Sequence, residues 1–258
     1  MSDDRQHTPP PAPQERPGTA AVPEGLVSAV VNLVHTGPVL LGAYTIAELT
    51  AVDAIVDFLE ARPPEDVLAE AVRSLAARQL LVPGSSSDQV QVRGDLGIAV
   101  AFQQRARKVL DARTAGTEPG EPWRMLLLPQ PEDICLMVRI DALGVHQIGL
   151  HTSEDALDML TEWLPRGRRA GRSETPDPAD VAALLDRSER SALVTVTDYT
   201  AQGSAEVAGE STDLVLARDG GRLHVLFRDP ADRGRLVPDP AVDEEDEVHE
   251  RIADLLAA

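Results

Sequence analysis

Length, composition and charge narrow the classes of protein to which this chain can belong. Its 258 residues are 43% hydrophobic, which is enough to bury a substantial core in one large domain or two closely packed halves. The formal net charge is −19 at pH 7. Non-specific binding to nucleic acid is therefore not expected, since most of the surface would repel a polyanion.

The N-terminus and the single cysteine bear on localisation. Residues 1–24 are proline-rich and offer little to bury, which predicts a disordered tail. The chain lacks the pattern of a signal peptide and any apolar segment near the roughly 18 residues that a membrane span needs. The single cysteine, Cys135, cannot form an intramolecular disulfide, which fits a reducing cytoplasm, and its position between Ile134 and Leu136 predicts a buried, inert thiol. We therefore expect a cytoplasmic protein that does not insert into membranes.

The first part of the chain has mainly helical patterns. Residues 39–41 form a short candidate strand, and the spacing of Thr45 and Glu48 is that of a capping box, which predicts a helix over 46–60. Apolar spacing predicts further helices over 65–81 and 95–112, with a short hairpin around Val90 and Val92 between them. This order is similar to a winged-helix module. The charges of the 65–81 helix nearly cancel, so we expect it to be structural rather than to read DNA.

The second part alternates strands and helices. Strands are predicted over 123–128, 134–140 and 145–150, and a capping box at Thr152 and Asp155 begins a helix. Three more strands are predicted over 192–196, 214–217 and 223–227, followed by a C-terminal helix. The expected fold is α+β, with a central, mainly antiparallel sheet in a single domain over residues 25–258.

A weak internal repeat suggests that this domain has two related halves. Shifting residues 134–151 by 78 positions places them on residues 212–229, and Leu136, Asp141 and His146 then coincide with Leu214, Asp219 and His224. Both segments have the pattern of a β-hairpin followed by an amphipathic helix. We expect the first half to cover about 25–165 and the second about 177–258.

No motif for catalysis, metal binding or cofactor binding is found, and the chain is not expected to be an enzyme. The two histidines that coincide in the repeat, His146 and His224, are expected on the solvent face of a hairpin. An arginine-rich segment over 166–176 has two interpretations, an exposed loop that balances acidic neighbours or a phosphate contact. The catalytic, cofactor and metal sites are therefore predicted to be none.

Several short segments resemble the EspG family of actinobacterial type VII secretion chaperones. The sequence SLAARQLL at residues 74–81 is similar to the SLAARGLV turn of the family, with Gln79 in place of the usual glycine. The order of strand blocks and helices, including a helix that ends in Leu164 and Pro165, is also similar. The resemblance implies two quasi-two-fold-related halves around a central sheet with helical bundles.

The resemblance also implies a function and a set of contacts. Family members bind helical secreted substrates, typically PE–PPE pairs, in the cytosol and keep them soluble for export. Their contacts lie on a connection between sheet strands and on the C-terminal helical part. The corresponding residues here are Pro129, Gln130, Pro131, Glu132, Glu247, Glu250 and Arg251.

Two other functions remain open at this point. One is a winged-helix transcriptional regulator whose β-rich part senses a ligand. The other is an enzyme whose site is assembled from scattered carboxylates, since acidic residues are abundant but no pair is singled out by its spacing.

Overall fold

The computed structural model describes residues 24–54, 63–84, 90–170, 181–202, 205–228, 235–238 and 247–257. The predicted tail over 1–24, apart from its last residue, lies outside these ranges. Residues 55–60 of the helix predicted over 46–60, and the predicted helix start at Asp177, also lie outside these ranges.

Seven helices lie within the described residues. They are α1 (Glu24–Val34), α2 (Ile46–Ala51), α3 (Glu65–Ala77), α4 (Gly94–Arg105), α5 (Ser153–Trp163), α6 (Val181–Arg187) and α7 (Glu247–Ala257). Both predicted capping residues are confirmed at helix starts. The hydroxyl of Thr45 accepts a hydrogen bond from the Glu48 amide at 3.2 Å, and that of Thr152 accepts one from the Asp155 amide at 3.1 Å.

Twelve strands lie in the same ranges. They are β1 (Val39–Thr45), β2 (Leu81–Pro83), β3 (Val90–Val92), β4 (Lys108–Ala115), β5 (Arg124–Pro129), β6 (Ile134–Ile140), β7 (Val145–Thr152), β8 (Arg168–Arg169), β9 (Arg190–Gln202), β10 (Ala205–Asp219), β11 (Arg222–Arg228) and β12 (Leu236–Pro238). All six strands predicted in the second part of the chain are confirmed. The turn between β10 and β11 consists of Gly220 and Gly221, whose φ angles of 56° and 74° are those that a tight hairpin turn requires.

The predicted α+β class with a large antiparallel sheet is confirmed. Ten strands form one sheet in which the order is β1-β7-β6-β5-β4-β9-β10-β11-β12, and β8 pairs in parallel with β11. Strands β4 to β7 are sequential neighbours, as are β9 to β12, and the two runs are joined by antiparallel pairing of β4 with β9. The small hairpin β2–β3 forms a separate sheet.

Each run of four strands is preceded by one helix and followed by another. The helices that precede the runs, α4 and α6, pack on one face of the sheet, whereas α5 and α7 pack together on the opposite face. Alternation along β5 shows the two faces: Leu126 and Leu128 lie in the core under α4, and Met125 and Leu127 lie in the core under α5.

The two hairpins of the 78-residue repeat lie in the same sheet, but at different places in their runs. Leu136 lies on β6, the third strand of the first run, whereas Leu214 lies on β10, the second strand of the second run. The order of strands therefore matches β6 with β11 rather than with β10, and the 78-residue shift does not reproduce it.

Three of the predicted helix ends were wrong. The helix predicted over 46–60 ends at Ala51, because Val52 is its C-cap and Asp53 has a φ of 55°. The helix predicted over 95–112 ends at Arg105, because Ala106 is extended and Lys108–Ala115 forms a strand that pairs with β5 on one side and β9 on the other. The helix predicted to reach Leu81 ends at Ala77, and Leu81 begins β2. Gln79 lies between them with a φ of 59°.

Candidate functional site

The predicted solvent-facing histidines are buried, which corrects the sequence expectation. His146 on β7 is 2% exposed and His224 on β11 is 5% exposed. The Nδ1 atom of His146 lies 3.0 Å from the carbonyl oxygen of Gly144, and desolvation by burial lowers the pKa of His146. Both side chains therefore lie on buried sides of their strands rather than in solvent.

The predicted contact residues in the β5–β6 connection have different environments. Pro131 is exposed and Pro129 is half-buried at the end of β5. Gln130 is 7% exposed, and its Nε2 donates hydrogen bonds to the carbonyl oxygens of Phe102 and Leu128 at 3.1 and 3.0 Å. The side chain of Gln130 therefore ties the connection to α4 rather than facing solvent.

Glu132, at the end of the same connection, pairs with Arg105 at the C-terminal end of α4. The side chain of Glu132 is 33% exposed, and that of Arg105 is 27% exposed. Among the four predicted connection residues, only Pro131 is therefore exposed.

The predicted contacts on the C-terminal helix lie in the first turn and a half of α7. Glu250 is exposed and Arg251 is half-buried. The other end of α7 approaches the β5–β6 connection, because Lys108, at the start of the strand beside Pro129, donates a hydrogen bond from Nζ to the carbonyl oxygen of Leu255 at 3.2 Å. The two predicted contact segments therefore lie near opposite ends of α7.

A cavity of about 410 Å³ lies between α5 and α7. Its lining is mixed, with Asp158 and Glu162 from α5, His249 from α7 and Leu223 from β11. His249 Nε2 lies 3.7 Å from Asp158 Oδ1, which is longer than a hydrogen bond. No group of three or more metal-ligating side chains occurs in the described part of the chain.

A larger and more apolar cavity, of about 520 Å³, opens at the β1 edge of the sheet. We call it the edge groove. It is lined by Pro38, Leu40, Gly42, Ala43, Met137, Arg139, Gln147, Ile148, Gly149, His151 and Met159. None of the seven predicted contact residues lines it.

Strand pairing explains the shape of the edge groove. Leu40, Gly149 and Met137 lie directly opposite one another on β1, β7 and β6. Because Gly149 has no side chain, the middle of this row has room for the imidazole of the neighbouring His151. A Cβ atom at Gly149 would lie 3.1 Å from His151 Nε2, so the imidazole packs closely over this glycine.

The next row across the same strands contains two polar side chains. Ala43, Gln147 and Arg139 lie opposite one another, so a carboxamide and a guanidinium border the apolar part of the floor. Arg139 is half-buried, and its Nε atom is shielded from solvent without a hydrogen-bond partner among the described residues. Desolvation by burial lowers the pKa of the nearby His151, the charge of Asp155 raises it, and that of Arg139 lowers it further.

The edge groove remains open because α5 does not extend over β1. Met159 of α5 forms one wall, whereas Leu40 on the other side is 77% exposed. An exposed leucine beside an apolar floor is a common feature of surfaces that bind another polypeptide. The sequence carried one signal of this groove, the single arginine in the otherwise apolar strand ICLMVRI.

In the described ranges of the chain, no helix is both long and apolar enough to cross a bilayer.

The chain was compared with protein families and with curated proteins. No family model matches it, and no curated protein is significantly similar to it.

Proposed function

We propose that this protein is a cytoplasmic, EspG-like chaperone that holds helical, PE–PPE-like substrates of type VII secretion until export. The observation that carries the proposal is the edge groove, an apolar depression that is open to solvent on a broad antiparallel sheet. A chaperone for an aggregation-prone helix needs such a surface, since the apolar side of the helix must be covered while its polar side stays in water.

The packing of the sheet supports a role as a binding platform. Strands β5 and β6 are almost wholly buried, with helices on both faces, so the floor of the groove is part of a large core. A groove built on such a core needs little ordering when a partner binds, which lowers the entropic cost of association.

The geometry at Gln79 supports the family resemblance. This residue follows the C-cap of α3 and has a φ of 59°, in the left-handed region that glycine adopts most easily. The family usually has glycine at this position in its SLAARGLV turn. The same backbone turn therefore accounts for the family's glycine and tolerates glutamine here at some cost in strain.

The order of elements supports the proposed division into two halves. A helix, four sequential antiparallel strands and a second helix occur twice, and the two runs meet at β4 and β9. We propose that the halves are related by a quasi-two-fold axis normal to the sheet between these two strands. Such an axis would keep α4 and α6 on one face and α5 and α7 on the other.

The winged-helix alternative has less support. The predicted order of α3, the β2–β3 hairpin and α4 is present. However, Arg73 on α3 pairs with Glu70, and Arg78 after it pairs with Glu48. Arginines engaged with carboxylates are poorly placed to contact phosphates.

The direct test is complex formation with a PE–PPE-like pair from the genome that encodes the chain. The pair is co-expressed with the tagged protein and the mixture is separated by size-exclusion chromatography. We expect a stable complex that contains one copy of each of the three chains. Elution of the tagged protein without the pair, for every pair in that genome, would refute the proposed function.

A further inference from the structure

The edge groove combines an apolar floor with a cationic side chain that has no acidic partner among the described residues. Met137, Leu40 and Met159 line the groove around Gly149, and Arg139 lies in the adjacent row. Among the described residues, no carboxylate forms an ion pair with Arg139, although most other arginines near the sheet have acidic partners. The Nε of this half-buried guanidinium has no hydrogen-bond partner among the described residues, so a carboxylate brought to it would supply a charge-assisted hydrogen bond.

The position of the groove favours a helix as the occupant. On this face α5 already covers Met137 of β6, which is 1% exposed, whereas Leu40 of β1 is left uncovered. An occupant seated there would lie beside α5 and extend the helical layer on that face by one helix.

Addition of a strand at β1 is less compatible with the structure. The pairing of β1 with β7 shifts register between Leu40 and Gly42, and Gly42 has a φ of 112°. A bulge of this kind twists an edge strand away from the geometry that a further strand needs. The face of the groove, rather than its backbone edge, is therefore the surface available to a partner.

We propose that the edge groove receives an amphipathic α-helix of a partner protein, and that this helix carries a glutamate or aspartate whose carboxylate pairs with the guanidinium of Arg139. This inference rests on the proposed function and adds the chemical selectivity of the site. The apolar side of the helix packs against Leu40 and Met159, and the ion pair fixes its position along the groove.

The test uses helical peptides with a leucine and alanine face, each with a single glutamate at a different position along the border of that face. Each peptide has a matched copy with glutamine and another with lysine, and binding is measured by fluorescence anisotropy. At least one glutamate peptide should bind the wild-type protein about ten-fold more tightly than its glutamine copy, as expected for a charge-assisted pair.

Variants of the protein identify the residue responsible. R139Q should abolish the preference for glutamate, and R139E should reverse it in favour of lysine. R187Q removes an exposed arginine on α6 that pairs with Asp219, far from the groove in the order of strands, and should keep the preference. Reversal by R139E also shows that this variant is folded, since an unfolded chain would bind neither peptide.

Four outcomes would overturn the inference. Equal binding of the glutamate and glutamine peptides would show that no ion pair with Arg139 contributes to binding. A complex with a PE–PPE-like pair would still support the proposed function in that case. Binding of no peptide, together with a PE–PPE-like complex that R139E does not weaken, would place the partner elsewhere. Dimerisation that R139E disrupts, or displacement of the peptides by palmitate at lower concentration, would assign the groove to a second copy or to a fatty acid.

Discussion

Arg139 and His151 line the same groove, and the positive charge of Arg139 adds to the effect of burial in holding the pKa of His151 below its ordinary value. The two side chains come from neighbouring strands, β6 and β7. Their coupling makes the imidazole a reporter of charge in the groove.

Removing the charge of Arg139 should raise the pKa of His151. In R139Q the repulsion between guanidinium and imidazolium is lost, whereas the desolvation by burial remains, so the pKa should move part of the way back towards its ordinary value. The shift is measured by NMR titration of the histidine resonances. R187Q is the control and should leave His151 unchanged, and an equal pKa in R139Q and wild type would show that the two groups do not interact.

Leu40 should contribute to binding but hardly to stability. This side chain is 77% exposed, so L40D should change the free energy of unfolding by no more than about 0.5 kcal/mol. Binding of the PE–PPE-like pair should weaken at least about ten-fold, because the aspartate places a charge against the apolar face of the partner. Urea unfolding and titration calorimetry give the two quantities.

Leu143 provides the matched control for this substitution. It is 88% exposed in the turn between β6 and β7 and does not line the groove. L143D should therefore bind like wild type. An equal loss of binding in L143D and L40D would indicate a general effect of added negative charge rather than a contact at Leu40.

Gln79 should be a site at which glycine stabilises the protein. Its φ of 59° is strained for a residue with a side chain, and Q79G should raise the free energy of unfolding by about 0.5–1 kcal/mol. Q79A removes the same side-chain atoms beyond Cβ but keeps the strain, so it should not stabilise. Urea unfolding of the two variants separates these effects, and a gain in Q79A equal to that in Q79G would contradict the explanation.

Glu48 should be one of the most sensitive polar positions in the helical part. It is 5% exposed, and its carboxylate accepts hydrogen bonds from the Ser74 hydroxyl at 2.8 Å, Arg78 Nη1 at 2.9 Å and the Thr45 amide at 3.0 Å. E48A leaves these donors without their acceptor and should cost about 2–4 kcal/mol of unfolding free energy.

The conservative variant E48Q separates the charge from the hydrogen bonds. Glutamine can still complete the capping box with Thr45, so E48Q should lose less than E48A in the same urea experiment. Equal losses in both variants would mean that the charge of Glu48, and not its geometry, holds α2 and α3 together.

Local patterns predicted the strands and helix starts well. The run ICLMVRI coincides with β6 because apolar residues at consecutive positions are typical of a strand buried on both faces, and the two capping pairs mark where α2 and α5 begin. Apolar spacing predicts a helix through 108–112, because Val109 and Leu110 continue the spacing of α4. Pairing with β5 and β9 overrides that spacing, and no local signal contains it.

The edge groove depends on contacts between distant parts of the chain. Leu40 and Gly149 are about a hundred residues apart in sequence, and only the pairing of β1 with β7 places them side by side. The burial of His146 has the same origin, since β1 pairs with β7 and places Tyr44 opposite it. The sequence therefore indicated the sheet but not the surface that the arrangement of its strands creates.

Hydrogen exchange during complex formation tests most directly whether the edge groove is the docking surface. Amides of β1 and β7, together with those around Met159, are compared with amides of α6 and β10 before and after addition of the PE–PPE-like pair. We expect slower exchange in the first set and no change in the second. Protection confined to α6, β10 or other segments away from the groove would contradict the account.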